Sequence, residues 1–444
     1  MAIPTTDDMY NAPSRHIEFK YEIHFVEGSD PLVVTKDNYL VSSTGLEEAQ
    51  SDSGSVLGAV SSNEISFDLY NEDKLFTPTN YSSPYYKLIR RGIRIEVFCR
   101  AVVDVETEWD PLGTFYTTEW YTTSSGIVAT VTANDRLYNV FDSVPPEYMV
   151  TPNASYKDLY KSFFGALGVN VTVDDSLDDS LPFAYINGTN KEFLTELSNG
   201  ALTLCFGNRE DGVSVLSRLR DKALRATLTD DDQIFEITDR QSIEAGYNGI
   251  SVTNNVKQES NTLEVISIKE HELARGDNEL SNLLLNIVPL VRLKYAKVSG
   301  LAEAFVSSID ATTTSVNLIV TNPTDSNHSV DISVCGTVVE TVSSTHTEGG
   351  SNPIVLNSNY VQTAKQLNKV VTYLRRANNS VTPTLEVVTR GNPKLRLGDK
   401  IRVQSTKFSI DYTGILIRNS YTYDGSLRSV ITLLDASLLG EVPG

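Results

Sequence analysis

Residues that could bind a metal are sparse in this chain of 444 residues. Its five histidines form no H-E-x-x-H pair, and His271-Glu272 stands without the second histidine that a zinc hydrolase requires. The acidic run VDDSLDDSLP, with carboxylates from Asp174 to Asp179, suits Ca²⁺ by composition but lacks the ligand order of an EF-hand loop. We expect a solvated acidic loop there, and we predict no metal site and no cofactor.

Residues that could act as nucleophiles also lack a recognisable context. The sequence contains no G-x-S-x-G elbow, no phosphate-binding P-loop and no dinucleotide fingerprint. Cys99, Cys205 and Cys335 lie far apart, which argues against a disulfide framework and favours thiols packed as small apolar groups. Paired carboxylates for glycoside hydrolysis meet only in space, so the sequence leaves that chemistry open. We predict no catalytic residue and no enzymatic activity.

Composition limits the partners of the chain. The formal net charge is −20, which opposes binding to nucleic-acid phosphates and to anionic lipid. No apolar run reaches the roughly 20 residues that a membrane helix needs. Residues 1–15 show neither a basic segment nor an apolar one, so we expect an extended N-terminal arm and no secretion signal.

The elements that must carry any function are mostly strands. Apolar and polar residues alternate from His16, again from Glu64 and again from Arg94, which predicts half-buried β-strands. Helical patterns are few: one begins at Asn153 as its expected cap, and one opens with a capping box from Thr189. A third and longest helix follows in NYVQTAKQLNKVVTYLRRANN. We therefore predict a mainly β, β-rich α+β fold.

The order of these elements divides the chain into several pieces. The predicted pieces are an N-terminal arm (1–15), a first β-barrel (16–148), a small α/β domain (149–228), a second and discontinuous β-barrel (229–290 and 386–444), and an inserted β-rich domain that ends in a helix (291–385).

A repeat connects the two predicted barrels. The pattern G-x-x-I-x-V occurs near each end of the chain, and each copy continues into a glycine-containing strand, a turn and a third strand that ends in aspartate. Asp-Gly or Ser-Gly between alternating segments is typical of a β-hairpin, so each copy predicts an antiparallel meander. The matched positions are Gly92, Gly113, Gly126 and Asp135 in the first copy and Gly398, Gly414, Gly425 and Asp435 in the second.

Longer stretches carry a resemblance to a known family. The phrase N-x-D-x-x-F-x-P-x-N-x-x-S-P-Y-Y runs from Asn71 to Tyr86, and RGNPKLRLGDKI runs from Arg390 to Ile401 after the long helix. Together with PLGTFYTTEWYTTSSGIVATVTANDRL, these stretches resemble the tail hub, or baseplate hub, proteins of tailed bacteriophages and related contractile injection systems. The resemblance covers most of residues 60–140 and 360–435.

The resemblance implies a structural role. Members of that family are trimers whose chains each carry two similar barrels, so that three chains present a pseudo-sixfold ring to a hexameric tail tube and a threefold side to a tip or spike. For this chain it implies a homotrimer in the tail baseplate or tip of a virion, made in the host cytoplasm. Its partners would be the tail tube or a distal tail protein, and a tip or spike protein, with DNA passing through the channel.

The acidic composition fits such a conduit, because carboxylates that face a channel repel DNA phosphates. The candidates lie in DDMYN, VVDVETEWD and LTDDDQ, although a solvated loop is the simpler interpretation of each run. The aromatic-rich stretches TNYSSPYYK and TFYTTEWYTT either anchor subunit interfaces or pack within their own barrel.

Two other functions stay open at this point. A carbohydrate-binding or receptor-binding β module is the alternative, since tyrosine, tryptophan and asparagine in β-sheet loops suit sugar stacking, and residues 291–385 are its candidate domain. A cell-wall hydrolase is the third hypothesis. Against it, we expect no appended catalytic domain, because the sequence beyond Leu439 is too short for one.

Overall fold

The computed structural model describes residue 10 and residues 15–49, 57–103, 105–106, 108–122, 126–146, 151–186, 188–219, 221–230, 234–239, 247–379 and 384–438. Strands dominate these residues, and the predicted β-rich α+β fold class is confirmed. No helix in the described ranges is long and apolar enough to cross a membrane.

The first barrel is antiparallel and surrounds one apolar core. The inward-facing residues of its first strand, Ile17, Phe19, Tyr21 and Ile23, are all buried, as the alternating sequence predicts. Its first strands in chain order are β1 (His16–His24), β2 (Leu32–Thr35) and β3 (Leu40–Ala49), followed by β4 (Ala59–Ser61), which joins the sheet of the next domain. The barrel continues with β5 (Glu64–Tyr70), β6 (Arg94–Val103), β7 (Val105–Glu106), β8 (Asp110–Thr122) and β9 (Val128–Asn134).

A small α/β domain follows, with a four-stranded sheet in the order β11-β14-β13-β4 and a two-stranded sheet of β10 and β12. Its aromatic core includes Tyr160, Phe163, Phe164 and Phe193. The elements are α1 (Arg136–Asp142), β10 (Thr151–Ser155), α2 (Tyr156–Ala166), β11 (Val171–Val173), β12 (Ser180–Ala184), α3 (Asn190–Ala201), β13 (Thr203–Gly207) and β14 (Val213–Ser217).

The caps of α2 and α3 show where local sequence determines a helix start. The predicted capping box of Thr189 and Glu192 is present at α3. The prediction that Asn153 caps α2 is wrong, because Ser155 and Asp158 form a capping box there and Asn153 lies in β10 with φ 53°. Asn153 and Ser155 are both suitable cap residues, and the reciprocal hydrogen bonds between Ser155 and Asp158 favour Ser155.

Helix α2 offers a test of this local assignment. Gly165 lies on its exposed face, and a Cβ built there meets open space. We expect Gly165→Ala to raise the free energy of unfolding by about 0.5–1 kcal/mol, because alanine loses less backbone entropy than glycine in a helix. Gly168→Ala is the matched control: space is open there too, but φ is 66°, so a loss of about 1 kcal/mol is expected. Urea unfolding of both variants measures the difference, and equal effects would contradict the assigned helix end.

The second barrel is assembled from two separate segments of the chain. The first contributes β15 (Leu224–Thr229), which pairs with β26, and β16 (Ile234–Asp239), which pairs with β25. The second contributes β25 (Thr384–Thr389), β26 (Lys400–Ser405), β27 (Ile410–Tyr423) and β28 (Leu427–Asp435), followed by one 3₁₀ turn at Ala436–Leu438.

The inserted domain is larger than the sequence indicated. Strands from 249 onward, which the sequence analysis placed in the second barrel, pair instead with strands of the insert. Strands β18, β23 and β20 of a five-stranded sheet, which also contains β17 and β24, and the three-stranded sheet β19-β22-β21 enclose a core of valine, leucine and isoleucine. The elements are β17 (Gly249–Glu259), β18 (Leu263–Leu273), β19 (Gly276–Leu284), β20 (Leu290–Ser299), β21 (Phe305–Ala311), β22 (Ser315–Asn322), β23 (His328–Gly349), β24 (Pro353–Asn357) and α4 (Ala364–Asn379).

Candidate functional site: a repeated sheet with a joined edge and an open edge

The two predicted meanders pair in the same register. In the first copy Phe115 of β8 lies opposite Ile95 of β6, and in the second Gly414 of β27 lies opposite Ile401 of β26. The next pairings agree as well, because β9 and β28 meet their partners at equivalent positions down to the terminal aspartates. The two meanders therefore share their hydrogen-bonding register as well as their sequence pattern.

The turn that precedes each meander is also equivalent. The N–H of Gly92 donates to the carbonyl of Thr117 at 2.8 Å, and the N–H of Gly398 donates to that of Leu416 at the same distance. Both glycines have positive φ, 82° and 86°, which other residues rarely adopt. A register shift follows immediately after Thr117 in β8 and immediately after Leu416 in β27. Bulges at matching positions bend the two long strands at the same place.

One matched pair from the sequence is corrected by this register. Gly113 lies opposite Val97, whereas Gly414 lies opposite Ile401, so these two glycines are two positions out of step. Each serves its own packing: a Cβ on Gly113 would meet the ring of Phe115 at 2.8 Å, and a Cβ on Gly414 would meet Leu433 and the carbonyl of Leu434 on the adjoining strand at 2.8 Å. Both strands require a glycine, but each glycine avoids a different steric clash.

Two further strands extend the equivalence. β3 pairs with β5 in the first copy as β16 pairs with β25 in the second. The pairing shifts register between Leu40 and Ser42 in β3, and it shifts between Ile234 and Glu236 in β16. Five strands of each barrel thus share order and direction, and the bulges in β3 and β16 and in β8 and β27 lie at matching positions. A further register shift, between Val97 and Phe98 of β6, has no counterpart between β26 and β27.

The two copies differ by β1 and by the two-residue strand β7, which pairs with β6. In the first barrel β1 lies between β2 and β6 and is antiparallel to both. In the second, β15 precedes β16 as β2 precedes β3, but it pairs directly with β26 and is parallel to it. The first barrel therefore contains β1 as an additional strand.

An aspartate at the end of the final strand of each copy caps a helical turn: Asp135 directly follows β9, and Asp435 is the last residue of β28. Asp135 accepts hydrogen bonds from the N–H groups of Leu137 and Tyr138 at 3.0 and 3.3 Å, and Asp435 accepts one from Ser437 at 2.8 Å. Burial raises the pKa of Asp135 to about 7, although the hydrogen bonds from the backbone oppose that shift.

One edge of the repeated sheet is joined to its counterpart within the chain. The second half of β27 pairs antiparallel with β3, from Arg418 opposite Ala49 to Tyr423 opposite Ser43. The two copies thereby form a continuous sheet in the order β8-β9-β5-β3-β27-β28-β25-β16.

A buried ion pair sits at this joint. The guanidinium of Arg209, from the loop between β13 and β14, donates to both carboxylate oxygens of Glu48 on β3 at 2.7 and 2.9 Å. It also donates to the carbonyls of Leu395, at 3.0 Å, and Pro393, both in the second barrel. Burial lowers the pKa of Arg209, but Glu48 beside it outweighs that effect and holds the pKa above its usual value. The α/β domain and both barrels therefore meet at one side chain.

The equivalent edge in the first copy is open. Residues 119–122 of β8 correspond to 418–421 of β27 and pair with β9 on one side. On their other side no strand in the described ranges pairs with them, and Tyr121 is 46% exposed. At the other end of this sheet, β16 pairs with β25 and with no other described strand, so its outer edge is open. The equivalent edge of β3 is the one that pairs with β27.

The outward face of this continuous sheet is acidic. Its side chains alternate with those of the barrel cores, and most are exposed or half-buried, whereas Ile415 and Leu434 are buried in the core that contains α4. The charged residues described on it are six acids and two bases, a net charge of −4: Glu64, Asp68, Glu119, Glu236, Glu386, Asp411, Arg418 and Arg428. Hydroxyl groups of threonine and serine fill most of the remaining positions.

The acidic runs that the sequence singled out mostly lie elsewhere. Asp230 accepts hydrogen bonds from Ser405 and Thr406 and so closes a turn. Asp110 binds Lys394 and accepts a hydrogen bond from Tyr10. Both acids of DDMYN, Asp104 of VVDVETEWD and the other two aspartates of LTDDDQ fall outside the described residues.

The aromatic stretches divide between core and surface. Tyr85 stacks on Phe25 at 4.5 Å between ring centroids, and Trp120 donates to the carbonyl of Phe76, so both belong to the first barrel's own core. Tyr81 and Tyr121 are exposed, at 83% and 46%.

The acidic run first considered for Ca²⁺ makes ion pairs with lysines. Within Asp174–Asp179, Asp175 pairs with Lys157, while Asp179 binds Lys365 and Lys369 of α4. His271 lies in β18 opposite Val330. All three cysteines have free thiols, and burial raises the pKa of Cys99 to about 12.

These features define a class of β-rich protein with two register-matched barrels in one chain. Among solved structures the chain is similar to the 43 kDa tail protein of prophage MuSo2 from Shewanella oneidensis, with 11% identity over 95% of this chain and 99% of that one, at a TM-score of 0.52. It is also similar to the tail protein from Neisseria meningitidis MC58, with 10% identity over 95% and 98% of the chains, at a TM-score of 0.54. No family model and no curated protein matches. The resemblance to phage tail proteins is therefore confirmed at the level of the fold.

Proposed function

We propose that the chain is a structural tail hub of a phage or related injection particle, located in the tail baseplate or tip. It acts as a homotrimeric adaptor that joins a hexameric tail tube, or its distal tail protein, to a threefold tip or spike. Its role is assembly and passage of DNA, without catalysis.

The observation that carries the proposal is the shared register of the two barrels. β3 is joined to β27 inside the chain, while the equivalent strands, β16 and β8, have open edges at the two ends of the sheet. If β16 of one copy pairs with β8 of the next as β3 pairs with β27, every barrel obtains the same neighbours. Three copies then close a ring of six near-equivalent barrels, which removes the unpaired edges.

The acidic face supports the conduit part of the proposal. A ring closed in this way places one face of the sheet toward the channel. The outward face carries a net charge of −4 per chain among its described residues, and the barrel cores occupy the other face. Carboxylates on a channel wall repel phosphates and keep DNA from adhering to it.

The mass of the particle in solution tests the proposal. Light scattering and mass photometry of the full chain are expected to show a species of three times 48.9 kDa, and negative-stain images a ring with six lobes. A trimer that buries thousands of Å² per interface forms at micromolar concentration. Preparations that remain monomeric at every concentration, both alone and mixed with a tail tube protein, would contradict the adaptor.

A substitution on the open edge makes the test specific. Tyr121→Lys places a charge beside the unpaired edge of β8, a device that keeps natural edge strands from pairing. We expect at least a tenfold loss of trimer at a fixed concentration. Tyr295→Lys is the matched control, because Tyr295 is 56% exposed on β20 of the insert, outside the proposed ring. Equal loss in both variants would argue against β8 as the contact.

A further inference from the structure

We propose that Glu22, His24 and Glu96 form a zinc site on the outer surface of the first barrel. One ligand atom from each of these side chains lies within 4.8 Å of the others. The Nε2 atom of His24 is 2.9 Å from Oε2 of Glu96. The inference stands independently of the role in a tail, since it concerns two strands of one barrel.

The strand pairing explains why the three side chains converge. Glu22 of β1 lies directly opposite Glu96 of β6, and His24 follows two positions after Glu22 on the same face. Between them Ile23 and Ile95 are fully buried, so the core fixes the backbone beneath the cluster. Small rotations of these half-buried carboxylates are enough to close such a triangle around an ion with ligands at about 2.0–2.2 Å.

Two cations hold the carboxylates from the side. Lys20 donates to Oε1 of Glu22 at 2.6 Å, and Arg94 donates to Oε1 of Glu96 at 2.8 Å. These hydrogen bonds orient the acids and leave Oε2 of Glu96 toward His24, as the outer groups of metal sites commonly do. They also offset the repulsion between two acids placed directly opposite each other on adjacent strands.

The ligand set selects the kind of ion. With two carboxylates balanced by two cations, the cluster has little net charge to attract Ca²⁺ or Mg²⁺, which bind through several oxygen ligands. One imidazole nitrogen with two carboxylate oxygens suits Zn²⁺, which takes a fourth ligand, such as water, to complete a tetrahedron. The half-buried side chains leave that fourth position accessible from solvent.

The location gives the ion a structural task. β1 is the strand that the first barrel has in addition to the second, and it is held there by its pairing with β2 and β6. An ion bound by both β1 and β6 would fix β1 at its C-terminal end. Zinc would then stabilise the first barrel, which differs from the second by the presence of β1.

Calorimetric titration of the EDTA-treated full chain with ZnCl₂ at pH 7 tests the site. We expect one Zn²⁺ per chain with a dissociation constant in the micromolar range, a higher melting temperature on binding, and no heat with CaCl₂ or MgCl₂. His24→Gln and Glu96→Gln are expected to weaken binding at least tenfold, because each removes one of the protein's three ligands.

The matched control is His16→Gln at the other end of β1, where His16 lies 3.7 Å from Glu18 and, among the residues that the structure describes, belongs to no group of three possible ligands. It should bind zinc as the unmodified chain does. Circular dichroism confirms that each variant is folded. No heat with ZnCl₂, or equal affinities for His24→Gln and His16→Gln, would overturn the proposal.

Discussion

Arg209→Met is expected to lower the free energy of unfolding by about 3–5 kcal/mol, because it leaves the carboxylate of Glu48 buried without its partner. Glu48 and Arg209 are 4% and 8% exposed, and the guanidinium also satisfies the carbonyls of Pro393 and Leu395. Loss of one side chain therefore weakens the contacts among the α/β domain and both barrels. Urea unfolding followed by circular dichroism measures the effect.

Two variants separate the buried charge from the loss of packing. Replacing both partners, with Glu48→Leu added to Arg209→Met, is expected to recover most of the loss, since apolar pairs of similar volume replace buried ion pairs at little cost. Arg396→Met breaks an exposed pair with Glu210, whose atoms are 2.7 Å apart, and should cost less than about 1 kcal/mol. A small effect at Arg209, similar to that at Arg396, would contradict the assigned role of the joint.

Local patterns in the sequence predicted the elements well. Alternation with period two marked the strands of both meanders, and the glycines with positive φ at 92 and 398 marked the turns that start them. These signals are local, because they depend on side-chain direction and on backbone conformations that few residues adopt. The same kind of signal identified the Thr189 cap of α3.

Features that depend on distant pairing were not predictable from one sequence. Glu48 and Arg209 are separated by 161 positions, and neither residue type indicates its partner. The additional strand β1 and the parallel strand β15 have similar strand patterns, although they pair in opposite directions. The matching of Gly113 with Gly414 failed because glycine marks close packing of any kind, whereas register is set by the whole ladder.

In the structure the two copies are related by strand pairing more than by residue type. The sequence matched residue types at eight positions, one pair of which is out of step. The structure matches hydrogen-bond partners and bulges, which do not depend on residue type. Conserved geometry with divergent side chains is what a ring of near-equivalent barrels requires, because the joint between barrels is made mostly by backbone groups.

Gly207→Ala is expected to cost about 3–5 kcal/mol, combining overpacking with the loss of a helix cap. A Cβ on Gly207 would lie 1.8 Å from Oδ2 of Asp135, which is buried and accepts a hydrogen bond from the N–H of Asn63 at 2.7 Å. Displacing that carboxylate also removes the acceptor for the first turn of α1. The strand β13, the end of β9 and α1 would all lose their shared contact.

A second change at position 135 shows whether this collision is the cause. Asp135→Ser keeps an oxygen that can cap α1 but shortens the side chain, so it makes room for the added Cβ. The double variant is expected to be more stable than Gly207→Ala alone, even though Asp135→Ser is destabilising by itself. Thermal unfolding of the three variants supplies the double-mutant cycle. Additive losses would place the cost of Gly207→Ala elsewhere, because residues in direct contact are expected to couple.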